Sequence, residues 1–296
     1  MRNDIQGVRV RVPATAANLG PGFDVLGLAL SLYNTFTITP ADQVTIEVLG
    51  QTSTLPRDAS NLFYKAFSFL YQHSGTSPIP VRVEMDLAIP SGSGLGSSAT
   101  AVVGGLVAAN VMLGGKLTKD DLVPFAIQLE HGTHADNVAP ALLGGLVINA
   151  HDPSTNQTIS LQVPFPDDLV AVLLIPQFEM DTVKGRALMP SHYPKSDLVF
   201  STSRVALFIS ALQTHRYDLL KVAMQDKIHQ PYRTQVFSAM PTLIAAALDA
   251  GAYGASLSGG GSSILAFVGK DAAQAVGEAL LQSANVANLD GVIRIL

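Results

Sequence analysis

The feature that most restricts how this chain can fold is the segment of residues 87–115, which contains no Asp, Glu, Lys or Arg. Its length suggests a membrane span, but a spanning helix needs about 20 predominantly apolar residues. The first part of the segment reads PSGSGLGSSAT, and the mainly apolar remainder, residues 101–113, is interrupted by Gly104, Gly105 and Asn110. The segment therefore predicts a glycine-serine loop followed by a buried helix, and no membrane partner.

The charge and the cysteine content exclude further classes of protein. The chain has 296 residues and a formal net charge of −5, without a basic run, which argues against a nucleic-acid partner. It has no cysteine, so disulfides, thiol catalysis and cysteine-ligated metals are excluded. The opening residues, MRND, are not followed by the apolar stretch of a secretory signal. We therefore expect a cytoplasmic protein.

Hydrophobic periodicity predicts strands and helices that are interleaved along the chain. Val8, Val10 and Val12 alternate with arginines, as in a half-buried strand. Further strands are predicted over residues 44–48, 81–87, 169–175, 253–257 and 264–268. Helices are predicted over residues 62–73, 118–130, 197–214, 216–229, 239–250 and 271–283. This interleaving indicates an α/β or α+β protein.

The length suits one large domain or two of ordinary size. Residues 151–168 are rich in proline and polar side chains. They are the best candidate for a domain seam, although a long hairpin would look similar. We predict two domains, residues 1–155 and residues 156–296.

The glycine-serine loop has the character of a phosphate site. Glycine lets backbone N–H groups approach an anion closely, and the start of the following helix adds unpaired donors. The Walker lysine and the dinucleotide pattern of glycines are both absent, and a plain turn before a buried helix is the alternative. The predicted ATP-binding residues are Pro90, Ser91, Gly92, Ser93, Gly94, Leu95, Gly96, Ser97, Ser98, Ala99 and Thr100.

Three glycine-rich segments in this order resemble the GHMP kinases, a family of small-molecule kinases. Residues 90–99 are similar to the family's central ATP motif, Pro-x-x-x-Gly-Leu-Gly-Ser-Ser-Ala. The other two segments are PATAANLGPGFD at residues 13–24 and GASLSGGGSS at residues 254–263. The first of these, HADNVAPA at residues 134–141 and HQPYR at residues 229–233 resemble signatures of the family's homoserine kinase branch.

The resemblance implies an α+β, two-domain GHMP kinase fold, with an N-terminal half like domain 2 of ribosomal protein S5 and a ferredoxin-like C-terminal half. It implies ATP and Mg²⁺ as cofactors and transfer of phosphate to the side-chain hydroxyl of L-homoserine, a step of threonine biosynthesis. Two alternatives are another GHMP-type kinase and a non-catalytic ligand-binding protein on the same fold. The oligomeric state stays open, with a homodimer as one option.

Within this resemblance, the metal would lie between Ser98 and Glu130. Mg²⁺ prefers hard oxygen ligands and usually takes only one or two from protein. Ser98 is predicted at a helix start and Glu130 at a helix end, and either Ser97 or Ser98 is a suitable hydroxyl ligand. Asn61 either contacts the nucleotide or caps the helix that follows it.

The resemblance also implies the residues that bind the amino-acid substrate. Arg186 and Arg233 are similar to the family's substrate arginines, and a planar guanidinium matches the two oxygens of a carboxylate. Asn18 and Asp24 of the first motif are expected to receive the ammonium group. Thr182 lies in the same segment as Arg186 and is expected at the same site.

The expected catalytic residues are His134, Asp136 and Asn137. His134 and Asn137 would face the reacting hydroxyl. Asp136 is either a proton acceptor or a residue that orients His134 or caps a turn. The resemblance implies catalysis mainly by stabilising the transition state, with Asn137 near the hydroxyl.

Overall fold

The structure is a computed structural model that describes residues 6–50, 54–130 and 134–296. The N-terminal half builds a mixed sheet with helices on one face. Its strands are β1 (Val8–Ala17), β2 (Leu26–Pro40), β3 (Thr45–Val48), β4 (Val81–Leu87), β5 (Leu146–Asp152) and β6 (Gln157–Val163). Its helices are α1 (Leu62–His73), α2 (Ser97–Met112), α3 (Lys119–Leu129) and α4 (Val138–Leu143).

The C-terminal half builds a second sheet, which is antiparallel. Its strands are β7 (Leu169–Pro176), β8 (Gly254–Leu257), β9 (Ile264–Gly269) and β10 (Gly291–Ile295), in the order β10-β7-β9-β8. Its helices are α5 (Thr182–Ala187), α6 (Lys195–Gln213), α7 (Leu220–Ala223), α8 (Gln230–Arg233), α9 (Met240–Asp249) and α10 (Ala273–Val286).

The first sheet is organised around the long strand β2. The strand order is β3-β4-β2-β5-β6, and β1 pairs antiparallel with β2. Strand β4 ends at Leu87, directly before the glycine-serine loop, and α2 starts at its far end. The predicted strand, loop and buried helix are thus confirmed. Within the described residues, no helix is both long enough and apolar enough to cross a membrane.

Three hydrophobic cores hold the molecule together. The first lies between the six-stranded sheet and its helices, and the third lies between the second sheet and α9 and α10. The middle core joins the two halves, because Leu26 and Leu146 of the first sheet pack with Leu173 and Phe267 of the second. The two sheets therefore share buried apolar surface across the join.

Residues 151–168 contain most of a β-hairpin. Strands β5 and β6 pair from Leu146 with Val163 to Asp152 with Gln157. The division predicted after residue 155 thus falls in the hairpin turn. Strand pairing favours a division between Val163 and Leu169, and we propose that as the domain boundary.

The predicted helix over residues 216–229 is wrong in extent. The chain forms a 3₁₀ turn, Tyr217–Leu219, and then the short α7, which ends at Ala223. The side chain of Asp226 accepts hydrogen bonds from three backbone N–H groups, those of residues 228–230. These bonds favour the start of α8 at Gln230, because an aspartate that bonds to following N–H groups favours a helix start over a helix interior.

Candidate active site

The glycine-serine loop is built from glycines in the left-handed region. Gly92, Gly94 and Gly96 have φ values of +63°, +75° and +69°. A Cβ on Gly94 would lie 2.2 Å from the carbonyl oxygen of Ser258. The hydroxyl of Ser258 also donates to the carbonyl oxygen of Gly94 at 2.8 Å. The loop is therefore seated against the C-terminal glycine segment, at a contact that only glycine permits.

Helix α2 begins directly after this loop and has no side-chain cap. Its first N–H groups are therefore available to an anion, as the sequence predicts. Thr100 is fully buried, donates to the carbonyl oxygen of Ser97 and accepts from the side chain of Asn34. The hydroxyl of Thr100, one of the predicted ATP-binding residues, is thus used in hydrogen bonds within the protein.

An apolar cavity of about 330 Å³ opens beside the loop. Its walls bring together apolar side chains from several elements with polar groups of the loop. The apolar walls are Phe36, Leu55, Pro56, Leu62, Met85 and Leu87, and Ser91, Gly92, Ser97 and Ser98 border them. A cavity of this kind suits a flat heteroaromatic ring whose attached phosphates reach the loop.

Asn61 lines the same cavity and also caps a helix. Its Oδ1 accepts from the backbone N–H of Phe63 at 2.9 Å, and its Nδ2 donates to the carbonyl oxygen of Pro56 at 2.7 Å. The helix-capping interpretation of Asn61 is therefore confirmed. Through Pro56, its side chain also fixes one wall of the cavity.

A larger cavity of about 870 Å³ lies next to the loop and is lined by charged groups. It gathers residues from both halves that are far apart in sequence. The predicted residues that line it are Asn18, Asp24, Glu130, His134, Asp136, Asn137, Arg186 and Arg233. Thr182 begins α5 near Arg186, and its side chain lies outside the described residues.

Asp24 and Arg186 form a two-pronged ion pair in this cavity. Arg186 Nη1 and Nη2 donate to the two carboxylate oxygens of Asp24 at 2.8 and 2.7 Å. His134 Nδ1 lies 3.3 Å from the same carboxylate. Burial lowers the pKa of His134, and the positive charge of Arg186 lowers it further, while Asp24 opposes both. His134 is therefore a neutral imidazole at pH 7.

Asp136 is the buried carboxyl group of the cavity. Burial, reinforced by the charge of Asp24, raises the pKa of Asp136 to about 7, although Arg186 and Arg233 act in the opposite direction. The group therefore changes its charge near neutral pH. A carboxyl that titrates in this range has the acidity expected of a general base or acid.

Asn137 has its amide oriented by Thr15, a residue that the sequence did not single out. The hydroxyl of Thr15 donates to Asn137 Oδ1 at 2.8 Å. The backbone N–H of Thr15 also donates to the carbonyl oxygen of Leu95 in the glycine-serine loop. This bond fixes the orientation of the Asn137 amide, with the oxygen towards Thr15, in a residue that lines the cavity.

Arg233 is buried at the inner wall of the cavity. Its Nη1 donates to the carbonyl oxygen of Gly259 at 2.8 Å and to His229 Nδ1 at 2.7 Å. Burial and the nearby Arg186 lower the pKa of Arg233. Phe23 lies under both guanidinium groups, 5.0 Å from Arg186 and 5.7 Å from Arg233. Phe23 was not singled out in sequence either, although its place beside Asp24 is a usable signal.

Ser98 and Glu130 meet at the mouth of the loop. The hydroxyl of Ser98 donates to a carboxylate oxygen of Glu130 at 2.6 Å. The hydroxyl of Ser97 instead turns towards the carbonyl oxygen of Ile89, at 3.4 Å. Within the described residues there is no cluster of three or more His, Cys, Asp or Glu side chains that would hold a metal alone. A hydroxyl and a carboxylate side by side nevertheless suit Mg²⁺, which takes one or two protein oxygens and completes its shell with phosphate and water oxygens.

Family comparisons agree with this geometry. The model for the GHMP kinases N terminal domain matches residues 61–145, and the model for GHMP kinases C terminal matches residues 208–286. The chain belongs to the GHMP kinase family. The predicted family and the two-domain GHMP kinase fold are thus confirmed, and a kinase of this family takes ATP as a substrate.

Similar proteins place this GHMP kinase in the homoserine kinase branch. A homoserine kinase of Trichormus variabilis is 41% identical over 295 residues, which is 99% of this chain and 96% of that one. A homoserine kinase of Moorella thermoacetica is 44% identical, over 87% of this chain and 86% of its own. The crystal structure of homoserine kinase from Cytophaga hutchinsonii superimposes with a TM-score of 0.89 at 32% identity, covering 100% of this chain and 96% of that one.

Proposed function

We propose that this kinase transfers the terminal phosphoryl group of ATP to the side-chain hydroxyl of L-homoserine. The observation that carries the proposal is the set of opposed charges in the larger cavity. Asp24 faces Arg186 and Arg233 at a site that adjoins the glycine-serine loop. A free amino acid brings an ammonium and a carboxylate to such a site. The homoserine kinases at 41% and 44% identity support this substrate.

The substrate would separate the ion pair between Asp24 and Arg186 and bind to both side chains. Its ammonium would take the place of Arg186 at the carboxylate of Asp24, and its carboxylate would bind Arg233 and the released Arg186. Asn18 acts mainly through Asp24, because Asn18 Oδ1 accepts from the backbone N–H of Asp24 and Asn18 Nδ2 donates to Gly259. A substrate with only one of the two charges would leave a protein charge unpaired, which costs binding energy.

ATP would place its phosphates on the loop and its base in the apolar cavity. The N–H groups of the loop and of the first turn of α2 would hold the phosphate oxygens. Mg²⁺ bound through Ser98 and Glu130 would neutralise charge on the phosphates. Asn137 would direct its NH₂ group at the oxygens between which the phosphoryl group moves, and Thr15 would hold that amide in place.

We propose that transition-state stabilisation, without a full general base, drives the transfer. Phosphoryl transfer passes through a loose transition state in which the attacking hydroxyl needs little prior loss of its proton. As the O–P bond to homoserine forms and the bond to ADP breaks, that proton would pass to a phosphate oxygen or to water. His134 lies against Asp24 and would help to place the ammonium end. Asp136 would tune the charge of the pocket between Asp24 and the two arginines.

Replacing Ser98 by alanine tests which of the two candidate hydroxyl groups, that of Ser97 or that of Ser98, binds the metal. We expect Ser98→Ala to raise the Mg²⁺ concentration for half-maximal activity on the order of tenfold, because one oxygen ligand is removed. Ser97→Ala is the matched control, and we expect it to stay within about twofold of the parent. The measurement is activity against free Mg²⁺ at saturating homoserine. Equal effects of the two substitutions would contradict the assignment to Ser98.

The proposed reaction is tested by ADP release with four hydroxylated substrates: L-homoserine, mevalonate, shikimate and galactose. We expect turnover with homoserine and at least about a hundredfold lower kcat/KM with the others, because none of these carries an ammonium group for Asp24. Preferred turnover of mevalonate would favour another GHMP-type kinase. ATP binding without turnover of any substrate would favour a non-catalytic protein. A cytoplasmic location, a homodimer and the absence of nucleic-acid or membrane partners stay predictions.

A further inference from the structure

His229 is a fully buried histidine next to the larger cavity, and it has no role in the function proposed above. It stands directly before α8, one helical turn ahead of Arg233. Its ring stacks on Phe23 with 5.3 Å between the ring centres. Both ring nitrogens are engaged: Nε2 lies 2.8 Å from the carbonyl oxygen of Gly20, and Nδ1 lies 2.7 Å from Arg233 Nη1.

The partners of His229 determine where its proton is. A guanidinium group can only donate, so His229 Nδ1 must carry a lone pair. The carbonyl oxygen of Gly20 can only accept, so Nε2 must carry the hydrogen. The other neighbour of Nε2 is a carboxylate oxygen of Asp226 at 3.4 Å, which is also an acceptor. The ring is therefore the neutral tautomer with its hydrogen on Nε2.

Asp226 and Arg233 have opposite effects on the protonation of the His229 ring, and the neutral form is favoured. The carboxylate of Asp226 favours an imidazolium, but its oxygens already accept three backbone hydrogen bonds. Burial and the charge of Arg233 favour the neutral ring, and they lower the pKa of His229 to about 4. Protonation at Nδ1 would direct an N–H at the N–H of Arg233.

His229 and Gly259 orient the Arg233 guanidinium through neutral acceptors, so that its positive charge is not neutralised. Both hydrogens of Nη1 are used, one by His229 Nδ1 and one by the carbonyl oxygen of Gly259. Arg233 Nε is buried and has no hydrogen-bond partner among the described residues. Arg186 differs, because a carboxylate neutralises it until substrate arrives. Arg233 thus keeps a full positive charge in a fixed plane on the wall of the cavity.

We propose that His229 is a positioning residue for substrate binding, which holds the Arg233 guanidinium in the plane that receives the substrate carboxylate. This inference rests on the proposed function of Arg233. His229 acts as a neutral hydrogen-bond acceptor, through Nδ1, for Arg233 Nη1. Its Nε2 donates to the carbonyl oxygen of Gly20 and so connects the first glycine-rich segment to the start of α8. No chemistry at the reacting hydroxyl is assigned to His229.

Two substitutions at His229 separate positioning from packing. His229→Asn places an amide oxygen near the position of Nδ1, whereas His229→Gln reaches the position of Nε2 and leaves Arg233 Nη1 without that acceptor. We expect the Gln variant to raise the KM for homoserine about tenfold and the Asn variant to stay within about threefold. Both should leave the KM for ATP and kcat nearly unchanged. Equal losses in the two variants, in all three parameters, would assign His229 to packing alone and overturn the proposal.

Two further measurements distinguish failure of this inference from failure of the proposed function. In an Arg233→Met background, His229→Gln should cause no additional rise in the KM for homoserine, and an additional rise would show that His229 acts elsewhere. If Arg233→Met itself leaves that KM unchanged, the role proposed for Arg233 is wrong and the positioning role falls with it. Nitrogen NMR of the wild-type ring should show hydrogen on Nε2 only, and hydrogen on Nδ1 would overturn the inference independently of activity.

Discussion

Gly94→Ala is expected to weaken ATP binding by at least about a hundredfold. Gly94 has a φ of +75°, and its added Cβ would lie 2.2 Å from the carbonyl oxygen of Ser258 and 2.8 Å from that of Gly261. Both obstacles are backbone atoms of the C-terminal glycine segment, so no side-chain rotation relieves the contact. The loop must move, and its N–H groups then lose their aim at the phosphates. Binding of a non-hydrolysable ATP analogue, followed by calorimetry, measures the loss.

Gly75→Ala is the matched control for this substitution. Gly75 also has a φ of +75°, but apart from its chain neighbours no heavy atom of the described residues lies within 4 Å of its added Cβ. The alanine therefore carries only the cost of the left-handed backbone, about 1–2 kcal/mol of stability. We expect unchanged ATP affinity. Similar losses of affinity in both variants would attribute the effect to backbone strain and would contradict the close contact at Gly94.

Asp136→Asn is expected to change how the stability of the protein depends on pH. The native state holds the Asp136 proton up to a pH of about 7, whereas the unfolded chain releases it near 3.8. The stability that the neutral carboxyl contributes is therefore complete below pH 3.8 and is lost as the pH rises to about 7. At 1.36 kcal/mol for each pKa unit, the loss amounts to about 4 kcal/mol. Asparagine cannot ionise and should retain that stability above pH 7.

Urea unfolding of both proteins between pH 4 and pH 8 measures this difference. Subtracting the two curves cancels the titration of groups that do not interact with Asp136, and Asp42→Asn, at an exposed position, serves as the control. A difference that does not change with pH would contradict the raised pKa of Asp136. Activity at pH 8 supplies a second readout. We expect kcat to fall less than about tenfold, and a loss of several decades would identify Asp136 as the proton acceptor.

Local patterns account for the parts that sequence predicted well. The glycine-serine loop lies between β4 and α2, and this arrangement follows from a charge-free segment whose polar and apolar parts are adjacent in sequence. The capping box at the start of α3 is also confirmed, with Thr118 and Asp121 exchanging hydrogen bonds. These features depend on residues within a few positions of one another. The two-domain fold, which depends on contacts over longer distances in sequence, was predicted only from the resemblance to the GHMP kinase motifs.

Contacts between distant segments account for what sequence did not predict. The bond from Thr15 to Asn137 spans 122 positions, and the Asp24–Arg186 pair spans 162. The apolar cavity beside the loop combines β2, β4 and the start of α1, and no periodicity in any one of them indicates a shared wall. The one local exception is the predicted helix over residues 216–229, because helical periodicity continues through the point where Asp226 accepts the backbone N–H groups at the start of α8.

The middle core, shared by the two sheets, limits how this enzyme can admit its substrates. Swinging one half away from the other would expose buried side chains such as Leu26, Leu146 and Phe267 to water, and each such side chain costs about 1.5–3 kcal/mol when exposed. Rigid-body opening of the two halves is therefore strongly disfavoured. We therefore expect access through the rim of the larger cavity, where α5 carries the half-exposed Arg186.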